Sequence, residues 1–209
     1  MIYVDVSQVA RYLKSGKPVS GIQRLTLVSL VGLNQLLGHD GVRAMIFDEA
    51  IGGFRAMSVE NFFKGDGGVA VTFTSADKLL FMEWYWNQAV FEATLIAGKA
   101  QRAKHFRLIY DVIPVARPDL VRPENTRRFC SNTQAALAAA DVVLTISDYS
   151  KSDILKHFPF AASRPIEVVK LAHEFAIVGR DGKMTSVGRA TPISDDLVRP
   201  AILALRGQQ

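Results

Sequence analysis

The chain has 209 residues, 49% hydrophobic and 22% charged, enough apolar material for one large domain or for one domain and a piece of another. Its formal net charge is +5, and its single cysteine, Cys130, excludes an internal disulfide and points to a reducing compartment. No apolar run approaches the roughly 20 residues that span a bilayer. The opening M-I-Y-V-D-V-S-Q lacks the basic region of a secretory signal, and one cysteine with four scattered histidines shows no zinc-ligand spacing.

In chain order, Ile2 to Val6 reads as a strand with Asp5 near its end, and Val9 to Tyr12 as a helical turn. Lys14 to Ser20 is a loop rich in Gly, Pro and Ser. A helix opens at Ser20-Gly21 and runs to about Leu37, with Ile22, Leu25, Val28 and Leu36 at helical spacing and Gly38 as its stop. Val42 to Phe47 is a second strand. Asp48 to Gly68, with many glycines, reads as an irregular excursion with an amphipathic piece around Val59 to Phe63, and Val69 to Phe73 as a short strand. Lys78 to Glu83 is a buried strand leading into Trp84, Tyr85 and Trp86, followed by a helix over Asn87 to Arg102.

Phe106 to Pro114 (F-R-L-I-Y-D-V-I-P) is the central strand, delivering Asp111 near its end and stopping at Pro114. Arg117 to Pro123 is a loop, and Glu124 to Ala140 a helix with Pro123 suited to its first turn. Asp141 to Ile146 is a strand and Ser147 to Phe158 a helix, within which Ser150-Lys151-Ser152-Asp153 fits a capping box. Ile166 to Leu171 is a last strand. A domain edge is expected near Ala172 to Glu174, a linker over Ala176 to Asp196, and the start of a further strand at Val198 to Leu205. The alternation predicts an α/β fold with a mostly parallel sheet and helices on both faces.

The position of the charge is more informative than its size. Between Lys99 and Arg128 lie eight basic residues (Lys99, Arg102, Lys104, Arg107, Arg117, Arg122, Arg127 and Arg128) and three acids, so this window accounts for the whole net charge. It reads either as an anion-attracting patch, for a phosphorylated substrate or an anionic lipid surface, or as a solvated face. No nucleic-acid motif accompanies it, so a nucleic-acid partner is not expected.

No G-x-S-x-G elbow, P-loop, CxxC or dinucleotide fingerprint is present. Three places are candidates for chemistry. Ser20-Gly21-Ile22-Gln23-Arg24 lies where a loop becomes a helix, so free amides, Gly21 and Arg24 suit a phosphate; the alternative is an ordinary glycine-capped start. Asp111 ends the central strand, where open α/β sheets bind ligands, or else it caps the following turn. Ser147-Asp148-Tyr149-Ser150-Lys151 opens another helix after a strand, for a ligand or for N-capping alone.

The order and spacing of these stretches resemble the N-terminal, acceptor-side domain of GT-B glycosyltransferases of the family 4 type. The matching stretches are Asp5-Val6-Ser7, Ser20-Gly21-Ile22-Gln23-Arg24, Asp111-Val112-Ile113-Pro114 and Ala140-Asp141 through Thr145, Ser147, Tyr149 and Ser150, with Glu83-Trp84 also similar. The resemblance covers about residues 1–174. It implies a Rossmann-like acceptor-side domain facing a second domain that binds a nucleotide-sugar, with no cofactor held by this chain and no metal. It also implies that Asp111 is the catalytic residue, as a base or by orienting an acceptor hydroxyl, and that Gly21 approaches the donor diphosphate. Gly21, Arg24, Glu83, Trp84, Tyr110, Ser147, Tyr149, Ser150 and Lys151 are the implied substrate-binding set. Many relatives carry His-Asp where this chain has Tyr110-Asp111, which leaves the role of position 110 open.

By the same resemblance, residues 175–209 are a linker and the truncated start of a donor domain. The chain is then expected to transfer a sugar to a glycan or lipid-linked acceptor only when a donor domain is supplied, and to be inactive alone. The expected location is cytoplasmic, at the inner face of a membrane. The alternative is a non-catalytic module that binds an anionic glycan or lipid-phosphate, or a remnant that regulates a full-length transferase.

Overall fold

In a computed structural model, described over residues 1–15, 21–85 and 87–170 and for the backbone of 175–178 and 184–187, strands and helices alternate as the pattern predicts. The elements are β1 (Ile2–Asp5), α1 (Ser7–Lys14), α2 (Gly21–Leu37), β2 (Val42–Asp48), β3 (Gly53–Met57), α3 (Val59–Lys64), β4 (Val69–Ala70), β5 (Lys78–Phe81) and α4 (Gln88–Ile96). They continue as β6 (Lys104–Ile109), α5 (Ile113–Ala116), α6 (Pro123–Ala139), β7 (Val142–Thr145), α7 (Asp148–His157), β8 (Ile166–Val168), β9 (Phe175–Val178) and β10 (Met184–Val187). The first eight strands form one sheet in the order β4-β3-β2-β1-β5-β6-β7-β8, with β9 and β10 as a separate antiparallel hairpin. The protein is a mostly parallel, Rossmann-like α/β fold.

Two compact units make up the chain: Met1–Lys104 with the β9–β10 segment, and a second beginning at His105. In the first, β1 pairs in parallel with β2 on one side, through Val4↔Ala44, and with β5 on the other, through Val4↔Leu80. The chain order reverses at β1, so the gap between β1 and β5 is a topological switch point, the place where open α/β sheets form a crevice beyond their carboxyl ends. β3 and β4 extend the β2 edge in antiparallel fashion. Val4, Val42, Ala44, Met45, Leu79 and Phe81 are fully buried and form the heart of this unit. In the second unit β7 pairs in parallel with β6 through Leu108↔Leu144, and with β8 through Leu144↔Glu167.

Several elements differ from the sequence expectation. The stretch 48–68 is not irregular: β3 pairs with β2, and the amphipathic piece expected around Val59 to Phe63 is α3, capped by the Ser58 hydroxyl, which accepts the Asn61 N–H at 3.1 Å. Gly52, Gly65 and Gly68, at φ 60°, 81° and 66°, supply the left-handed backbone positions of this stretch. The expected strand over Val69 to Phe73 shrinks to Val69–Ala70. The buried stripe of α2 is Gln23, Thr26, Leu27, Leu30, Val31 and Leu33, with Leu36 exposed, because a helix apolar nearly all round does not reveal which side meets the sheet. α4 stops at Ile96 rather than Arg102, since Gly98 turns left-handed at φ 68°. β6 stops at Ile109, and Pro114 lies inside α5 instead of ending a strand. Part of the expected linker over 176–196 forms the β9–β10 hairpin, and β9 lies against α2. Ser20, Trp86, Leu171 and the expected boundary at 172–174 lie outside the described residues, as does the strand expected at 198–205.

Gly98 and Gly21 differ in what they tolerate. A Cβ on Gly98 would fall 2.7 Å from the Ala103 Cβ and 2.9 Å from the Leu79 Cδ1. At Gly21 it would meet none of the described atoms within 4 Å. Gly98→Ala is therefore expected to lower the unfolding free energy by about 1–3 kcal/mol through a strained backbone and overpacking. Gly21→Ala is expected to leave it unchanged or to raise it by up to about 1 kcal/mol, since alanine is the better helix former. Urea denaturation of both variants checks this pair, and a Gly21→Ala loss as large as that of Gly98→Ala would contradict it.

Candidate functional site

The carboxyl end of β1 at the switch point is closed by a buried polar cluster. Helix α1 begins at Ser7, and the residue before it, Val6, has no side chain able to cap it. Two acids take over that task. The Asp5 Oδ1 accepts the Ser7 N–H at 3.2 Å and the Ser7 hydroxyl at 2.5 Å. Glu83, just beyond β5, accepts the Gln8 N–H at 2.8 Å on Oε2 and the Val9 N–H at 3.0 Å on Oε1. Three successive amides of the first turn thus each donate to one of two carboxyl groups, which also face the positive end of the helix.

The cluster reaches further. The Tyr85 hydroxyl donates to the Asp5 Oδ2 at 2.5 Å, and the Ser7 hydroxyl oxygen accepts the Phe47 N–H at 2.9 Å. The backbone of Val6 also donates to the Met45 carbonyl at 2.9 Å. Asp5 is 0%, Tyr85 2% and Glu83 5% exposed, so the charge on the two acids is cut off from water. Burial first, and the neighbouring Asp5 charge second, push the Glu83 carboxyl well above its ordinary range, against the two amide bonds that favour its ionised form.

Of the residues singled out in the sequence, Glu83 belongs to this cluster and Trp84 is half-buried beside it in the chain. Gly21 and Arg24, at the start of α2, are exposed. In the second unit Asp111 and Tyr110 follow β6, both half-buried. The Asp111 Oδ1 accepts the Ile113 N–H at 3.0 Å, the turn-capping bond that the sequence left open as an alternative. Ser147 follows β7 and caps α7: its hydroxyl oxygen accepts the Ser150 N–H at 3.0 Å. The cap is Ser147 and not the Ser150 box, because Ser150 is already inside the helix and buried. Tyr149 stands 77% exposed, and the Lys151 ammonium donates to the Ile166 carbonyl at 2.7 Å. Asp141 works at the opposite strand ends, where its Oδ2 accepts the His105 N–H at 2.7 Å and joins β6 to β7.

The basic window is less uniform than its sequence suggests. Arg107 is 2% exposed within β6, and Arg117 is held by Asp119 through bonds of 2.9 and 2.7 Å. Lys99, Arg102, Arg122, Arg127 and Arg128 are exposed. Elsewhere in the first unit, an open cavity of about 330 Å³ is lined by Phe54, Val71, Phe73 and Ile96 among others and by no ionisable side chain, so it offers shape without acid–base chemistry. Among the described residues no cluster of His, Cys, Asp and Glu is arranged to hold a metal, and no helix is long and apolar enough to cross a membrane.

The sequence offered Asp5 and Ser7 only as parts of a motif, and it gave no role to Tyr85, Gln8 or Val9. The signal that could have found the cluster is Val6, a poor cap in front of a helix, which requires an acceptor from elsewhere. The chain matches no protein-family model, no curated protein and no solved structure.

The raised Glu83 carboxyl has a definite consequence for stability. A group whose folded-state value lies above its unfolded one binds its proton more tightly when folded, so its contribution is complete below the ordinary value of 4.5 and is lost as pH rises through the folded value. Denaturation curves of the protein and of Glu83→Gln across acidic to mildly alkaline pH should show the wild type losing stability relative to the variant as pH rises. A constant difference would refute the assignment.

Proposed function

We propose that the chain is the acceptor-side domain of a sugar-nucleotide-dependent glycosyltransferase of the GT-B, family 4 type. The observation that supports this reading is where the resembling stretches fall in the fold. In the first unit Asp5-Val6-Ser7 ends β1 and Glu83-Trp84 follows β5, at the switch point. In the second, Asp111 follows β6, and Thr145 to Ser150 ends β7 and opens α7. These are the carboxyl ends of parallel strands, where such sheets carry ligands. An added Cβ at Gly21 would meet none of the described atoms within 4 Å, and in this reading the bare backbone there is approached closely by the ligand.

In this reading a glycan or lipid-linked sugar is the acceptor, and a nucleotide-sugar is the donor, held by a second domain. Asp111 acts as base or orients the acceptor hydroxyl through the carboxylate oxygen that does not bond Ile113. Arg24, Trp84, Tyr110, Ser147, Tyr149, Ser150 and Lys151 contribute to substrate binding. The protein works in the cytoplasm at the inner membrane face. A second reading, a non-catalytic module for an anionic glycan or lipid-phosphate, is favoured by the bonds that already occupy Asp111 and Lys151.

Binding tests the proposal directly. Titration of the isotope-labelled protein with a water-soluble prenyl-diphosphate-linked sugar should give saturable amide shifts at Gly21, Trp84, Asp111 and Ser147. Nucleotide-sugars alone should give much weaker ones. Asp111→Asn should retain the fold and abolish transfer once a donor domain is supplied. Absence of saturable binding by any glycan or lipid-linked sugar would overturn the proposal, and binding with transfer unaffected by Asp111→Asn would favour the module.

The exposed arginines allow an independent check. Each basic side chain near an anionic bilayer contributes roughly 1 kcal/mol, screened by salt over about 8–10 Å. Replacing Arg122, Arg127 and Arg128 together by glutamine should weaken co-sedimentation with anionic vesicles at low salt, and leave it unchanged with neutral ones. Equal, salt-independent partitioning of wild type and variant would remove the membrane from the reading.

A further inference from the structure

We propose that the open cavity of the first unit is a binding site for a free single-chain carboxylate, a fatty-acid-like anion whose chain lies in the cavity and whose head group stays at the rim. The cavity, of about 330 Å³, lies between the start of β3, the segment that follows β4 and the end of α4. That volume is within the range of small-molecule sites. Water takes about 30 Å³ in the liquid, so the space suits on the order of ten heavy atoms.

The floor is built before any ligand arrives. Phe54 and Phe73 are buried, with ring centroids 6.1 Å apart. Phe81, 6.4 Å from Phe54, and Tyr3, 5.1 Å from Phe73, back them. The Val71 N–H donates to the Phe54 carbonyl at 3.0 Å and fixes the wall beside them. The surface left for a ligand to cover is on the walls, where Val71 and Ala93 are half-buried and Ile96 is 67% exposed. An aliphatic chain asks for apolar contact and no hydrogen bond, which is what these walls supply.

The rim selects the head group. Of the residues that line the cavity only Thr72 and Gln101 have polar side chains, and both are exposed. Gln101 belongs to the turn after α4, in which its N–H donates to the Gly98 carbonyl and the Arg102 N–H to the Lys99 carbonyl, both at 3.1 Å. Lys99 and Arg102, on either side of Gln101 in the sequence, are exposed. Arg102 is held at φ 56°, a left-handed conformation that side-chain-bearing residues rarely adopt and that is frequent at ligand sites. The acids around the cavity do not cancel these two charges. Asp48 is bridged to Arg55 at 2.5 Å, and Glu49 faces Arg11 at 3.8 Å. Glu92, one turn before Ile96 on α4, accepts from the uncharged Gln88 amide at 3.1 Å. Two cations against one unbridged acid leave the rim positive, which favours a carboxylate over a neutral or cationic head. No residue of the proposed acceptor site lines the cavity, so this inference stands apart from the transferase reading.

Titration of the isotope-labelled protein with decanoate, below the concentration at which it forms micelles, tests the site. Saturable amide shifts are expected at Phe54, Phe73, Ala97 and Gln101. Each methylene lost from a chain that fills the cavity weakens binding roughly two- to fourfold, so hexanoate should bind at least about tenfold more weakly. Decyltrimethylammonium, with the same chain and a cationic head, should also bind about tenfold more weakly than decanoate. Ala93→Leu fills the cavity and should abolish the shifts. Lys99→Gln with Arg102→Gln should weaken decanoate about tenfold and leave decanol unchanged. Absence of saturable shifts, shifts scattered over the whole unit, or equal binding of decanoate and decyltrimethylammonium would overturn the proposal. Shifts at the same amides with anionic vesicles and none with decanoate would also overturn it, in favour of a bilayer. If Ala93→Leu fails to fold, the glutamine pair decides, and unchanged decanoate binding by that variant would overturn the site.

Discussion

The first turn of α1 needs acceptors that its own sequence does not carry, and the first unit is built around supplying them. Val6 offers no capping atom, so the amides at Ser7, Gln8 and Val9 are matched by Asp5 from the strand before and Glu83 from the strand beside. Burying two acids together is costly unless they are hydrogen-bonded. The hydroxyls of Ser7 and Tyr85 and the amide of Phe47 complete the set, which ties β1, β2, α1 and the segment after β5 into one assembly. The switch-point crevice in this unit is consequently filled by the protein's own carboxyl groups.

The second unit solves the same problem locally. Asp111 and Ser147 each cap the turn or helix that follows their own strand, with partners two and three residues away. Its longer-range ties are Asp141 between β6 and β7, and Arg164, whose guanidinium covers the carbonyls of Ala138 and Ala140 at the end of α6. These bonds lie at the amino ends of the strands and leave the carboxyl ends to short-range caps. The longer-range ties are thus gathered at one edge of this unit and the short-range caps at the other.

The parallel sheet was legible because its strands are short β-branched and aromatic runs separated by helical spacing, as in Val142–Thr145 and Lys104–Ile109. The antiparallel β3 was not, because Gly53-Phe54-Arg55-Ala56-Met57 has little β-branching and is held by its pairing with β2 and by Arg55 on Asp48. The stripe on α2 was misjudged because leucines and valines occur on most of its circumference, and only the sheet decides which side is inside. Asp111 and Ser147 were placed correctly at strand ends, since a polar residue after an apolar run is a local signal. The part of Glu83 in the cluster was not legible for the opposite reason: its bonds join positions 74 and 75 residues apart, and Val6 signals only that an acceptor is needed, not where it comes from.

That separation also bears on the order of events as the chain is synthesised. An eight-residue helix without a side-chain cap is unstable as an isolated segment. Until β5 and Glu83 have emerged, α1 lacks the acceptors for two of its first amides, and β1 lacks one of its two neighbours. The amino-terminal segment therefore waits, unsatisfied, for residues made more than seventy positions later, and closes in the same step that docks β5. Cotranslational assembly of this unit is governed by the arrival of the middle of the chain and not by its beginning.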